Sequence, residues 1–240
     1  MKGIPMKKIR ISSEAVYLIA NVILALAVAM VTAADFGVSM IVAPAYILHR
    51  FSEGGVLPLT FGQAEYVVQG LVFVLFCILM RRFKPLYLVS FGTGLFYGAI
   101  LDLWRAVLPH FNPAITPAGS LPLEWNILYF TIGELLTSLS IAMFFRTYIY
   151  AQVYDFFVKG ITERYNLPQT KFKMAFDAIF LLLGVLLSWI FFGTIFGYGI
   201  GVGTLILTVI NGALIGFFGK LLDRFFLIEP AFSKLAKHFD

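Results

Sequence analysis

Leu24-Ala25-Leu26-Ala27-Val28-Ala29-Met30 begins three residues after Asn21, and Thr137-Ser138-Leu139-Ser140-Ile141-Ala142-Met143 begins three residues after Glu134, an offset of 113. Two further blocks follow in the same order. Leu57-Pro58-Leu59-Thr60 answers Leu167-Pro168-Gln169-Thr170 at an offset of 110, and Tyr87 with Gly92-Thr93 answers Tyr198 with Gly203-Thr204 at 111. Three ordered matches at nearly constant spacing read as a duplicated unit rather than as chance similarity of apolar runs.

The surrounding composition says where such a unit resides. The chain has 240 residues, of which 60% are hydrophobic, 17% aromatic and 13% charged, and its mean hydropathy is +0.90. That is too apolar for a water-covered globule and fits a bilayer. Six stretches, 15–34, 61–80, 86–107, 126–145, 174–193 and 199–221, suffice to cross about 30 Å of hydrocarbon as helices of about 20 residues. Helix is required because backbone groups facing lipid find no water to bond.

The net charge of +5 does not indicate nucleic acid, because the cations sort by side of the membrane. Lys2, Lys7, Lys8 and Arg10 precede the first span; Arg81, Arg82 and Lys84 follow the second; Arg146, Lys159, Arg164, Lys171 and Lys173 follow the fourth; and Lys220, Arg224, Lys234 and Lys237 close the chain. Only Arg50 and Arg105 of the 18 fall on the other face. The bias of cytoplasmic loops toward Lys and Arg puts both termini in the cytoplasm. Trp104, Trp125 and Trp189 fall near the expected outer interface.

Three spans per copy is an odd number, so the second copy enters from the opposite side. The fold expected is an all-α polytopic membrane protein of six transmembrane helices arranged as two inverted three-helix repeats. Its parts are a cytoplasmic N-terminal segment 1–14, repeats 15–108 and 125–222, an extracytoplasmic linker 109–124 and a cytoplasmic tail 223–240. In that tail Phe232, Leu235, Ala236 and Phe239 repeat at helical spacing, so an amphipathic helix on the inner leaflet is expected. Basic residues before the first span invite a signal-peptide reading. The apolar run is longer than a signal core and is half of a repeat, so cleavage is not expected.

Each copy also holds a short segment between its first two spans. Residues 38–52 contain Pro44 and end in His49-Arg50; residues 148–165 carry Asp155, Lys159, Glu163 and Arg164. These are additional short helices, re-entrant or interfacial. Interrupted segments at corresponding places of two repeats point toward a transporter's binding site, and a connector along the surface is the plain alternative.

An ionisable group in hydrocarbon costs roughly 2.5 to 3.5 kcal/mol at a helix centre and needs a reason. Glu134 is the leading candidate, with Thr131 and Ser138 on its helix face and Asn21 as its repeat counterpart. The pair could flank one cavity, or simply hydrogen-bond across helices. Glu65 and Gln69 make a second polar face four residues apart and suggest an outer gate. Asp177 would be the inner counterpart, although Lys173 offers it an ordinary i,i+4 ion pair. Thr93 and Thr204, in the repeated Gly-Thr, could present a hydroxyl to the cavity. Asp102 and Arg105 read as a local ion pair.

Other patterns are weaker. Gly199-x-Gly201-x-Gly203-Thr204 falls in an apolar span without a following Lys-Ser or Lys-Thr, so it is no phosphate loop. Gly94-xxx-Gly98 and Gly212-xxx-Gly216 read as close helix packing. Asn112-Pro113-Ala114 resembles the signature of water and glycerol channels but occurs once, in the linker, and reads as a turn. Cys77 alone cannot form an intramolecular disulfide. His49, His110 and His238 are scattered, no metal-ligand spacing occurs, and no nucleophile and base pair up. Neither an enzyme nor a cofactor is expected.

Gly37-Val38-Ser39-Met40 before a Pro-containing short helix, Thr60-Phe61-Gly62-Gln63, Ser90-Phe91-Gly92-Thr93-Gly94 ending at Asp102, and Gly201-Val202-Gly203-Thr204 together resemble the bacterial YczE/YyaS/YitT-type membrane proteins, over most of residues 15–222. The resemblance implies a multi-pass protein of the bacterial cytoplasmic (inner) membrane, of largely unassigned function, and supplies no catalytic residues.

The function expected is a small secondary transporter, or transporter-like protein, binding a cationic or zwitterionic solute in a midplane cavity between the repeats, with proton coupling an option. Glu134, Asn21, Glu65, Gln69, Ser138, Thr93, Thr204 and Asp177 are its candidate site residues. The alternatives are a substrate-binding subunit of a multi-component importer and a non-transporting scaffold or regulator. The partners implied are the lipid bilayer and a small molecule or ion, with a homo-oligomer or partner membrane subunit left open, and no nucleic acid.

Overall fold

The computed structural model describes residues 8–55, 57–237 and 239. In chain order the elements are β1 (Ile9–Ser12), α1 (Ser13–Ala33), α2 (Ala43–Ser52), α3 (Phe61–Met80), α4 (Leu88–Val107), α5 (Leu123–Phe144), α6 (Val153–Tyr165), α7 (Gln169–Phe192), α8 (Val202–Phe225), β2 (Phe226–Glu229) and the single turn α9 (Ser233–Ala236). Among the described residues six helices are long and apolar enough to cross a membrane: Ser13–Ala33, Phe61–Met80, Pro85–Val107, Leu123–Phe144, Lys171–Phe192 and Val202–Phe225. A multi-pass helical membrane protein follows, with boundaries close to those expected.

Local chemistry sets several of those boundaries. Thr60 caps α3: its hydroxyl accepts from Gln63 N at 3.1 Å while Gln63 Oε1 accepts from Thr60 N at 2.9 Å, a reciprocal box that satisfies two orphan donors. The Asp102 carboxylate reinforces that cap, accepting from Gly62 N at 2.8 Å and from Thr60 Oγ1 at 2.5 Å. Arg81, Asn166 and Gly193 end α3, α6 and α7 in the left-handed conformation. Pro44 sits in the first turn of α2, where it starts the helix rather than breaking it.

The centre of the bundle is the antiparallel pair α1 and α5. Ser140 Oγ donates to Ala20 O at 2.8 Å, and Gly133 lies against Val31 and Ala27, where an added Cβ would meet Val31 Cγ2 at 2.7 Å. α4 packs on α1, and α8 packs on α5. The short helices are exchanged: α2 packs on α7 as well as on its neighbour α3, and α6 packs on α3 as well as on its neighbour α7.

Loops interlock in the same crossed fashion. At one end Gly203 N donates to Phe36 O at 2.7 Å and Val38 N to Gly199 O at 2.9 Å. Gly37 is obligatory there, since its φ is +107° and a Cβ would meet Gly201 N at 2.6 Å. At the other end Thr93 Oγ1 lies 2.9 Å from Tyr150 O.

Several expectations need correction. The last span begins at Val202, not at residue 199. Gly199 has φ +107° and carries the Tyr46 ring where a Cβ would sit, so Gly199 and Gly201 belong to a turn that leads into the helix. Gly212 and Gly216 face open space and pack no neighbouring helix, whereas Gly94 and Gly98 do lie in the α3–α4 contact. The fold is not purely α, because β1 and β2 form a parallel pair from Ile9↔Phe226 to Ser12↔Glu229. That pairing takes up the start of the tail. The expected amphipathic helix is thereby reduced to one turn, with His238 and the Leu235 side chain outside the described residues. Lys2 and Lys7 of the expected cation pattern also lie outside them. Asn112 is a turn as expected, its Oδ1 accepting from Ala114 N at 3.0 Å.

Candidate functional site

Glu65 and Gln69 lie one turn apart on the face of α3 that meets α4 and α6, and neither is exposed. Gln69 Nε2 donates to Glu65 Oε2 at 3.2 Å and lies 3.4 Å from Gln152 Oε1. Tyr154 OH donates to the same Glu65 Oε2 at 3.0 Å. Glu65 Oε1, Gln69 Oε1 and Gln152 Nε2 are buried without a hydrogen-bond partner, and Glu65 has no ion pair among the described residues. Leaving such an atom unpaired typically costs about 1–3 kcal/mol, so three in one cluster call for an explanation.

Glycine makes the cluster possible. A Cβ at Gly94 of α4 would collide with Gln69 Oε1, and one at Gly62 would collide with Gly98 O. The backbones of α3 and α4 therefore approach closely, and the Gln69 amide fills the space. Tyr97, one turn beyond Gly94, is 2% exposed and closes the same interface.

The start of α6 completes the site. Gln152 is its N-cap residue and supplies no side-chain cap, so the first-turn N–H groups and the positive end of the helix dipole adjoin Tyr154 and Gln152. From there α6 runs beside α3 in the same direction. Phe156 and Phe157 meet Phe76 with ring centroids 4.8 and 6.0 Å away, and Tyr165 OH donates to Leu79 O at 2.6 Å. The start of α6 is thus level with Gln69, about 16 Å along the helix axis from the Met80 end at 1.5 Å per residue. α2 stands likewise against α7, with Ala43 beside Gly184 and the Phe51 ring stacked on Phe191 at 4.0 Å.

A polar thread continues from the cluster toward the β1–β2 end. Tyr17 OH lies 2.6 Å from Thr93 Oγ1, which is 2.9 Å from Tyr150 O, two residues before Gln152. Asn21 Nδ2 donates to Tyr17 O at 3.0 Å, and Asn21 Oδ1 is a further buried acceptor without a partner. Tyr17, Gln152, Tyr154 and Tyr97 were not among the residues expected from the sequence. The signal that could have found two of them was their place at the start of the segment 148–165.

The other candidates sit elsewhere. Glu134 and Asn21 share no hydrogen bond. Ser138 Oγ lies 3.2 Å from Glu134 Oε1 and 3.1 Å from Asn211 Oδ1 on α8, a polar contact that ties α5 to α8. Thr204 Oγ1 accepts from Gly201 N at 3.3 Å and so closes the first turn of α8. Asp177 takes the ion pair with Lys173, at 2.8 Å, and Lys173 also lies 3.8 Å from Asp155.

Asp102 and Arg105 do not pair. Asp102 caps α3, and Arg105 turns to α2, where its NH1 donates to His49 Nε2 at 3.0 Å with the guanidinium 5.3 Å above the Phe61 ring. His49 Nδ1 in turn donates to Leu59 O at 2.8 Å. Burial, with the Arg105 charge beside it, holds the His49 pKa down at about 4, so the ring is neutral and its Nε2 free to accept. Among the described residues no group of three His, Cys, Asp or Glu side chains could hold a metal ion.

No curated protein matches this chain, and no solved structure does. Nothing found links it to the YczE/YyaS/YitT type specifically. Residues 11–220 match a family model, and the chain therefore belongs to the Family of unknown function (DUF6198).

Proposed function

We propose that this protein is a small proton-coupled secondary transporter of the bacterial cytoplasmic membrane, with both termini in the cytoplasm. The observation that carries the reading is Glu65: a fully buried carboxylate with no ion pair among the described residues, beside the start of a short helix at mid-depth. Such a group needs a proton or a positively charged ligand to neutralise it, and exchange between the two couples proton movement to solute movement. The Tyr17–Thr93–Tyr150 thread leads from Glu65 toward the cytoplasmic end. The Asp102 cap and the His49–Arg105 contact stand on its outer side.

Two inverted three-span repeats underlie this reading. The exchanged packing of α2 on α7 and α6 on α3 supports the relation, as does the central pairing of α1 with α5, which the repeat makes equivalent. The short helices are then re-entrant, each starting inside the membrane and returning to the face it came from. This matches the broken-helix arrangement in which half-helix N-termini border a midplane site. Glu65 replaces Glu134 as the principal carboxylate, because Glu134 already serves the α5–α8 contact through Ser138 and Asn211. That contact is also what a non-transporting scaffold would use.

A pH jump applied to proteoliposomes on a solid-supported membrane tests the proposal. Wild type should give a transient charge displacement as protons reach Glu65, and Glu65→Gln should lose most of it. Equal transients in the two proteins would sink the reading.

A further inference from the structure

The unpartnered atoms around Glu65 are of two kinds, and they have sides. Glu65 Oε1 and Gln69 Oε1 are acceptors without donors. Gln152 Nε2 is a donor without an acceptor, and it stands at the uncapped start of α6, whose first-turn N–H groups are further donors. Gln69 Nε2 lies within hydrogen-bond reach of both Glu65 and Gln152, at 3.2 and 3.4 Å, so the two sides are only a few ångströms apart. α6 has 13 residues, long enough for a dipole that favours an anion at its start, and its own first-turn acid, Asp155, is engaged 3.8 Å from Lys173.

On the transporter reading above, we infer that this cluster binds a small solute carrying an ammonium group and, a few bonds away, a carboxylate. The ammonium N–H groups bond to Glu65 Oε1, and the carboxylate accepts from Gln152 Nε2 and the first N–H groups of α6. A cation without the carboxylate leaves the donor side empty; an anion without the ammonium leaves the acceptor side empty. The ammonium takes the place of the proton on Glu65, so one proton leaves for each solute bound, and binding tightens as pH rises. The site is closed in this structure, and admission of the solute requires α6 to part from the α3–α4 pair.

Thermal stabilisation of the purified full chain tests this, with glycine, β-alanine and 4-aminobutyrate as probes beside methylammonium and acetate. At least one amino acid should raise the melting temperature at a concentration where neither methylammonium nor acetate does. Its apparent Kd should fall by up to tenfold per pH unit while Glu65 of the unliganded protein holds its proton, and level off once that proton is lost. Gln152→Leu should weaken it tenfold or more, and Glu65→Gln should abolish the shift. Gly212→Ala, which faces open space away from the cluster, should retain the preference, and a cooperative melt without added probe shows that each variant is folded. No shift with any of the three amino acids, equal shifts with methylammonium, or an unchanged Gln152→Leu would overturn the inference. If the pH-jump transient is lost in Glu65→Gln while no amino acid binds, the solute class is wrong and the proton coupling stands. If an amino acid binds as stated but no transient appears, the binding stands and the transport reading fails.

Discussion

The Tyr154 hydroxyl donates to Glu65 Oε2 at 3.0 Å across 89 residues of chain, and both side chains are shut away from the surface. This bond ties the first turn of α6 to α3 and holds the carboxylate in place. Replacing Tyr154 by Phe keeps the ring and deletes the donor, leaving Oε2 with Gln69 alone. The expected loss is about 1–3 kcal/mol of stability, read as a lower melting temperature in detergent. An unchanged melting temperature would mean the hydroxyl is not what fixes the carboxylate.

Gly94→Ala should be damaging where Gly212→Ala is not. The first places a methyl against Gln69 Oε1 in the α3–α4 contact, and overpacking of this kind costs about 1–3 kcal/mol. The second points into open space and gains helix propensity. Comparison of the two melting temperatures against wild type checks both. Equal effects would contradict the packing described for α3 and α4.

Asp102→Asn weakens the reinforcement of the α3 start. The carboxylate accepts from Gly62 N at 2.8 Å and from the Thr60 hydroxyl, and an amide retains only one acceptor oxygen. The expected cost is about 1 kcal/mol, the scale of a helix cap. Arg105→Gln should not reproduce this pattern, because Arg105 bonds to His49 and not to Asp102. The two effects should add in the double variant, because the two side chains bond to different partners. Strong coupling would point to an ion pair after all.

His49 gives the fold a calculable response to acid. Its ordinary pKa of 6.5 is depressed to about 4 by burial and by the neighbouring Arg105 charge. The unfolded chain therefore binds the proton first. Stability from this residue is fully present above pH 6.5 and is lost as pH falls through 4. The ceiling is about 3 kcal/mol at 1.36 kcal/mol per pKa unit. Melting temperatures from pH 7 down to 4 should fall for wild type, and His49→Gln should flatten the curve over that window.

The spans were readable because lipid leaves the backbone one solution and because their ends carry local chemistry. Phe61 starts α3 where Thr60 and Gln63 can box each other, as the sequence spacing allows. Glu65 and Gln69 were visible as a pair for the same reason, being one helical turn apart. Tyr154 and Gln152 were not, because no periodicity says which helix a short segment will face. Arg105 misled for a related reason. Its nearest opposite charge in sequence was Asp102, but a folded chain offered it His49 from α2 and the face of Phe61. Glu134 looked strongest as an isolated acid in an apolar run, and the Asn211 that meets its Ser138 neighbour lies 73 residues away. The β1–β2 pair was hidden by size, since a four-residue strand is lost among apolar spans.

That strand pair also constrains how the molecule is made. β1 is synthesised before α1, yet its partner residues Phe226–Glu229 are synthesised only after α8. The sheet therefore registers across 217 positions of chain, from Ile9 to Phe226, and contacts of such long sequence separation are slow to form. Closure of β1 on β2 is a late event in biogenesis, available only to a chain whose intervening spans have already been inserted. A chain stalled before Phe226 would leave the edge of β1 unmatched.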